Sequence, residues 1–331
     1  MAANSKIEPQ LSQAALACVD EAFGDVLSTL LVGGRAVGLV RRNSDIDLMV
    51  LTANVDVPSL PFKFPTPDGV CEVEYHPAPI LHDRLAGFEK ALAKLAKGSE
   101  SYGKAKFLAE TASRLLTGQH LSGVSCPTAA IGITNVELEE ICVRWVWFRY
   151  AMIELTIDLF RRSASGVNAH LEPQDIAGIA FERSCRAALV ELVCAERSFY
   201  ISGRYKWLGT LLTRHDRADV WAYLSRTRQL GGNKLALSSS DPQNAGLKAF
   251  AGSHRVPRLF QIALCPGARH ISLTNTEVLI ESADRCVISI TPALALIFAR
   301  PITIKDLTAE ECDDLAELIR RRFIWIVPEL L

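Results

Sequence analysis

The alternation of hydrophobic and polar positions changes rhythm several times along the chain. Residues 8–23 set Leu11, Ala14, Ala15, Cys18, Val19 and Ala22 on one stripe at helical spacing, which predicts a first helix. A short apolar run, Val26–Val32, ends at Gly33-Gly34. After a compact segment through Gly38 and the polar Arg41-Arg42-Asn43-Ser44, the run Asp45-Ile46-Asp47-Leu48-Met49-Val50-Leu51 predicts a strand. Pro58, Pro61, Pro65 and Pro67 predict a loop that leads to Asp68-Gly69. Beyond it Val70-Cys71-Glu72-Val73-Glu74-Tyr75 alternates with period two and is closed by His76-Pro77, the pattern of a half-buried strand. Helical stretches over about 81–97 and 102–117 stop at Gly98 and Gly118. Helices around a few strands predict an α/β unit with a small mixed sheet over residues 1–130.

The rhythm turns fully helical from Asn135. Long patterns run over 136–162 and about 173–197, and a third starts near Tyr205 and continues into 216–228, predicting an all-helical domain over 131–232. Residues 233–257 are rich in Gly, Ser, Asn and Pro and predict a linker. Short strands at Ile271–Leu273, Glu277–Ile280 and Cys286–Ile290 follow. Two helices over 291–323, separated by Pro301, and a strand over 323–327 complete a small C-terminal α+β module, 258–331, of winged-helix-like layout.

Composition narrows the function classes. The 331 residues carry 36 Lys and Arg against 37 Asp and Glu, a formal net charge of −1. That balance argues against sequence-blind coating of nucleic acid, which needs a surplus of cations to displace counterions, and leaves only a local basic patch open. The nine cysteines are scattered, with no CxxC pair and no Cys/His cluster, as expected of reduced thiols in a cytoplasmic protein. The N-terminus lacks the basic-then-apolar layout of a secretory signal, and no apolar run reaches the roughly 18 residues of a membrane span.

The distinctive chemistry lies in the two acidic strands. Residues i and i+2 of a strand share a face, so Asp45 and Asp47 project together while Ile46 and Leu48 turn to the core. Aspartate is depleted in strands, and two on one face repel unless a cation lies between them. Mg²⁺, a hard cation that prefers oxygen ligands and works beside phosphates, is the natural partner. Glu72 and Glu74 share a face of the second strand in the same way, and either can be the third acid. Three converging carboxylates can hold two metals about 3.5–4 Å apart, an arrangement suited to in-line phosphoryl displacement.

These residues, GG-RAVG-LVRRN-SDIDLMVL followed by VCEVEY, resemble the polymerase-β-like nucleotidyltransferase superfamily, with the nearest likeness to the aminoglycoside-type nucleotidyltransferases, which place a helical domain after the catalytic one. The resemblance covers roughly residues 10–225. It implies a Mg²⁺-dependent enzyme that transfers a nucleoside monophosphate from an NTP, with ATP favoured, to an acceptor hydroxyl and releases pyrophosphate. Asp45 and Asp47 would bind two Mg²⁺. Glu72 would be the third ligand or the base, with Glu74 the runner-up. Gly33, Gly34 and Ser44 would meet the triphosphate, although Gly34 stands where a serine is frequent and the phosphate contact would fall to backbone amides. The helical domain would complete the nucleotide and acceptor cleft. A similar Tyr-Lys-Trp segment in related enzymes implies a triphosphate contact for Lys206.

Neither a GxGxxG fingerprint nor a GxxxxGK[ST] loop is present, so the glycine turn is neither a dinucleotide motif nor a P-loop. Arg35, Arg41 and Arg42 flank the acidic strand and carry the charge to meet β- and γ-phosphates. Glu154 and Asp158, one helical turn apart, suit either a cationic acceptor or interhelical pairing. The C-terminal module weakly resembles the domains that bind leader peptides in ribosomal-peptide biosynthesis, which implies a peptide or protein partner at 258–331. A small hydroxylated, antibiotic- or natural-product-like acceptor is therefore expected first. A protein, peptide or tRNA acceptor, or a non-catalytic nucleotide-binding role, stands as the alternative.

Overall fold

A computed structural model describes residues 25–36, 45–57, 60–66, 69–95, 99–163, 258–265, 268–274, 277–281, 285–298, 300–321 and 323–329. The first helix expected at 8–23, the helical patterns beyond 163 and the linker at 233–257 lie outside these residues, as do Arg41, Arg42, Ser44 and Lys206.

The described chain opens with strand β1 (Val26–Val32), a one-turn helix α1 (Gly33–Ala36) and strand β2 (Ile46–Thr52). Strands β3 (Phe62–Thr66) and β4 (Gly69–Pro77) follow, then helices α2 (Ala78–Ala86), α3 (Phe88–Ala93) and α4 (Ser99–Thr117). Strand β5 (Gln119–Gly123) and helices α5 (Pro127–Ile131) and α6 (Asn135–Arg162) come next. The five strands form one mixed sheet in the order β3-β4-β2-β1-β5. β2 and β4 run parallel, while β1 with β2, β1 with β5 and β3 with β4 are antiparallel.

Alternation sorts the residues of this sheet. One face buries Leu31, Ile46, Leu48, Val50, Cys71, Val73 and Tyr75 in a single apolar cluster. On the other face, Leu30 and Met49 are buried at the middle of the sheet, and Asp47, Glu72 and Glu74 stand at partly exposed positions. The last turns of α4 lie against this second face. A methyl group on Gly118, just after the helix, would touch Leu30 Cβ and Val32 Cγ1 at 3.4 Å each.

Two expectations are corrected. The stretch read as a proline-rich loop contains an edge strand, because Phe62-Lys63-Phe64 alternates opposite β4 and Pro65 needs no ladder hydrogen bond where β3 has no outer neighbour among the described residues. The helix expected over 81–97 is two helices that meet at Gly87, whose backbone N–H closes onto the carbonyls of Asp83 and Arg84 at 3.1 Å each. The long helix expected over 136–162 is found as α6.

The chain divides into two compact units: 1–88, 107–143 and 198–211 in one, and 89–106, 144–197 and 212–331 in the other. The second unit holds strand β6 (Leu259–Leu264), strands β7 (Arg269–Thr274), β8 (Glu277–Glu281) and β9 (Val287–Ile290), and helix α7 (Pro292–Ile297). Strand β10 (Ile302–Thr303), helix α8 (Ala309–Arg320) and strand β11 (Ile324–Pro328) complete it. These strands form two three-stranded sheets, β10-β6-β11 and β7-β8-β9. Thr291 caps α7 through Leu294 N, and Thr308 with Glu311 forms a reciprocal capping box on α8. No helix among the described residues is long and apolar enough to cross a membrane.

Candidate active site

The candidate site grows from the end of β1. Val32 leads into Gly33, whose φ of 80° falls in the left-handed region that only glycine enters without steric cost. That turn lets the chain leave the sheet and open α1 at once. Arg35 on α1 then donates from Nε to the backbone carbonyl of Asp45 at 3.2 Å, tying the helix to the entry of β2 across ten positions. Gln119 of β5 donates from Nε2 to the Ala36 carbonyl and holds the end of α1 from the other side. Gly33, Gly34 and Arg35 thus sit beside the start of the acidic strand. Arg35 is also engaged in shaping that corner, a role the sequence did not signal.

Strand register decides which acids face one another. Val32 is paired with Asp47, Asp47 with Glu72, and Glu72 with Lys63, so these four residues form one row across β1, β2, β4 and β3. Paired residues point to the same face, so Asp47, Glu72 and Lys63 stand side by side. Asp45 is exposed, directly before β2 and two residues ahead of Asp47. Glu74 lies two residues further along β4, about 7 Å away, and its partner on β2 is Met49, which is fully buried. Register therefore separates the two glutamates that alternation alone left equivalent.

Their partners separate them further. Arg114 of α4 donates from Nη1 to Glu74 Oε2 at 2.6 Å, and His76 Nε2 lies 3.5 Å from the same oxygen. The His76 contact, followed by the Arg114 guanidinium, holds the Glu74 carboxyl at about 2 despite the opposing effect of burial. At 3.5 Å the His76 contact is too long for a strong hydrogen bond, so Arg114 is the tighter tie. Phe107 stacks on His76 with ring centroids 6.4 Å apart, fixing that ring from above. Glu74 is thus built into a structural cluster with α4.

Glu72 has a different neighbour. Lys63 Nζ lies 2.6 Å from Glu72 Oε2, with side-chain exposures of 59% and 21%. The bond to Glu72 raises the Lys63 ammonium above its ordinary value, and the negative charges of Asp45 and Asp47 raise it further. One cation already feels all three carboxylates. Local patterning gives no sign of Arg114 or Gln119, and Lys63 is signalled only by the alternation of Phe62-Lys63-Phe64 opposite Val70–Tyr75.

The donor chemistry fits a hard divalent cation: the row offers carboxylate oxygens and no sulfur or imidazole. As the side chains stand, no three His, Cys, Asp or Glu among the described residues converge into a finished metal cage. Glu72 is turned to Lys63, on the flank of β4 opposite to Asp47.

No protein-family model matches the sequence. No curated protein matches it either. Among solved structures the chain is similar to a nucleotidyltransferase-like protein from Exiguobacterium sibiricum 255-15, with 12% identity, 73% of this chain and 72% of that chain covered, and a TM-score of 0.32. A likeness this loose carries no weight for the chemistry, which rests on the residues above.

Proposed function

We propose that the chain is a nucleotidyltransferase of the aminoglycoside type that moves a nucleoside monophosphate from an NTP, with ATP favoured, to a hydroxyl of a small antibiotic- or natural-product-like acceptor. The observation that supports this reading is the cross-strand row: Asp47 beside Glu72 on parallel strands, with Asp45 just ahead and the Gly33 turn next to them. Asp45 and Asp47 are the metal-holding carboxylates, and Glu72, rather than Glu74, is the third acid. Bound Mg²⁺ would neutralise charge on the phosphate oxygens. The backbone amides of Gly33 and Gly34, with Arg35, would meet the triphosphate. Arg42, Ser44 and Lys206 are proposed to add to that contact.

In the reaction the acceptor oxygen forms a bond to the α-phosphorus. The bond from that phosphorus to the bridging oxygen breaks, and pyrophosphate leaves with its electron pair. Glu72 either takes the acceptor's proton as the base or completes the carboxylate set as the third ligand. Glu74, held ionised by His76 and Arg114, ties β4 to α4.

The test is direct. Incubation with Mg²⁺, each labelled NTP and pools of hydroxylated acceptors releases pyrophosphate, and Asp47→Asn lowers the rate on the order of 10²–10³-fold, the scale of losing one preorganised stabiliser of transition-state charge. A wild-type protein that binds NTP and never turns over with any pool refutes the enzyme reading and leaves a nucleotide-binding protein. Label on protein or RNA in place of the small-molecule fraction would move the acceptor to the macromolecular class. The extra C-terminal module at 258–331 is the feature that favours this second reading.

A further inference from the structure

We propose that Lys63 is an internal counter-cation that holds Glu72 while the acidic row carries no metal and gives up that carboxylate when a divalent cation binds. The inference rests on the reading of Asp45, Asp47 and Glu72 as the metal-holding set.

The geometry supports an exchange. Lys63 is the register partner of Glu72 on the edge strand, and Glu72 is in turn the register partner of Asp47. Glu72 therefore has a cation on one flank and an acid on the other. Its carboxylate is bound to Lys63 Nζ at 2.6 Å. Three neighbouring carboxylates repel one another, and the Lys63 ammonium relieves part of that repulsion. The Lys63 side chain is more than half exposed, at 59%. An exposed pair of this kind contributes only about 0–1 kcal/mol, so it is readily exchanged. The lysine stem is long and flexible, and among the described residues no strand pairs with the outer side of β3. A divalent ion between Asp47 and Glu72 carries twice the charge and meets several oxygens, which favours it over a single ammonium.

The role is distinguishable from a surface ion pair by its sign. A lysine that merely steadies β3 on β4 would weaken metal binding when removed, through loosened strands. A competing cation does the reverse.

Mn²⁺ binding to the full-length, nucleotide-free protein, followed by calorimetry and by the electron paramagnetic resonance signal of free Mn²⁺, reads this directly. Lys63→Met is expected to bind Mn²⁺ about three- to fivefold more tightly than wild type, the range set by losing one exposed competing ion pair. Lys63→Arg, which keeps the charge, is expected to match wild type within about twofold. Unchanged or weaker binding in a Lys63→Met protein with native circular dichroism overturns the proposal. If wild type still binds Mn²⁺ in that case and Asp47→Asn does not, the metal-site reading stands on its own. If neither wild type nor Lys63→Met binds Mn²⁺, both readings fall together.

Discussion

Glu72 and Glu74 occupy one face of one strand, two positions apart, and their surroundings assign them different work. Glu74 sits against Arg114 and His76 beneath α4, and its carboxyl is held at about 2, below the ordinary 4.5. A carboxylate depressed in the folded state adds stability that is fully present above pH 4.5 and is lost as the pH falls from 4.5 toward 2. Each tenfold gain in acidity on folding is worth about 1.36 kcal/mol, and the partial exposure of the group reduces what the full depression would give. Glu74→Gln is therefore expected to lower unfolding free energy by about 1–3 kcal/mol at pH 7. The difference should shrink as the pH falls below 4.5 and vanish near pH 2. Urea titrations of both proteins across this range measure it, and a gap that stays constant with pH would contradict the assignment. This distinction was only half legible in the sequence. Alternation put both glutamates on one face, as it put Asp45 and Asp47 together, because the period of a strand is local. Which glutamate meets Asp47 depends on the register between β2 and β4, and register is a long-range property that no local pattern carries.

Elements were legible where a local signal agreed with the tertiary environment. The apolar run of β1, the alternation of β4 and the long periodic stretch of α6 each lie where the pattern placed them. β3 was hidden because its prolines read as loop, and only an edge position tolerates them. β5 is short and follows no strong period, and α5 is marked only by Pro127 at its start and the left-handed Gly132 at its end. In the C-terminal unit, α8 shows an explicit start signal, Thr308-Ala309-Glu310-Glu311. Thr308 Oγ1 accepts from the Glu311 amide at 3.1 Å, and Glu311 Oε2 accepts from the Thr308 amide at 2.7 Å. These bonds satisfy backbone donors that a helix start otherwise leaves open. Thr308→Ala is expected to reduce the stability of this unit by about 1 kcal/mol, and Thr308→Ser to retain most of it. Chemical denaturation followed by tryptophan fluorescence, to which Trp325 of β11 contributes, reads the loss. Equal stability of the two variants would show that the cap contributes nothing.

At the scale of the whole molecule, the last third of the chain shares its core with a helix that begins far earlier in the sequence. Leu155 and Leu159 of α6 belong to the buried cluster formed by Phe260, Ile262, Leu315, Phe323 and Ile326, and Leu159 is fully buried. Ser163, just past α6, donates its hydroxyl to Asp313 of α8, and Arg162 reaches the Lys305 carbonyl at 3.5 Å. Tyr102 lies against both Trp145 and Trp325, with ring centroids 5.2 and 4.5 Å away. The sequence predicts a linker at 233–257 ahead of the module at 258–331, and linker composition reports on chain stiffness and not on what packs against that module. The buried cluster argues that residues 258–331 are required for the folding of the unit that contains the end of α6. A chain ended at residue 257 would expose Leu155 and Leu159, each contributing about 1.5–3 kcal/mol when buried, and would leave the ring of Tyr102 without Trp325. The expected outcome is loss of the cooperative transition of that unit and binding of a hydrophobic dye at neutral pH, with aggregation on concentration. The acidic row belongs to the other unit, whose sheet buries its own cluster around Leu48, Val50 and Val73. A shortened chain that stayed monodisperse, bound no dye and unfolded with the cooperativity of the intact protein would show instead that the end of α6 holds its fold without the last third.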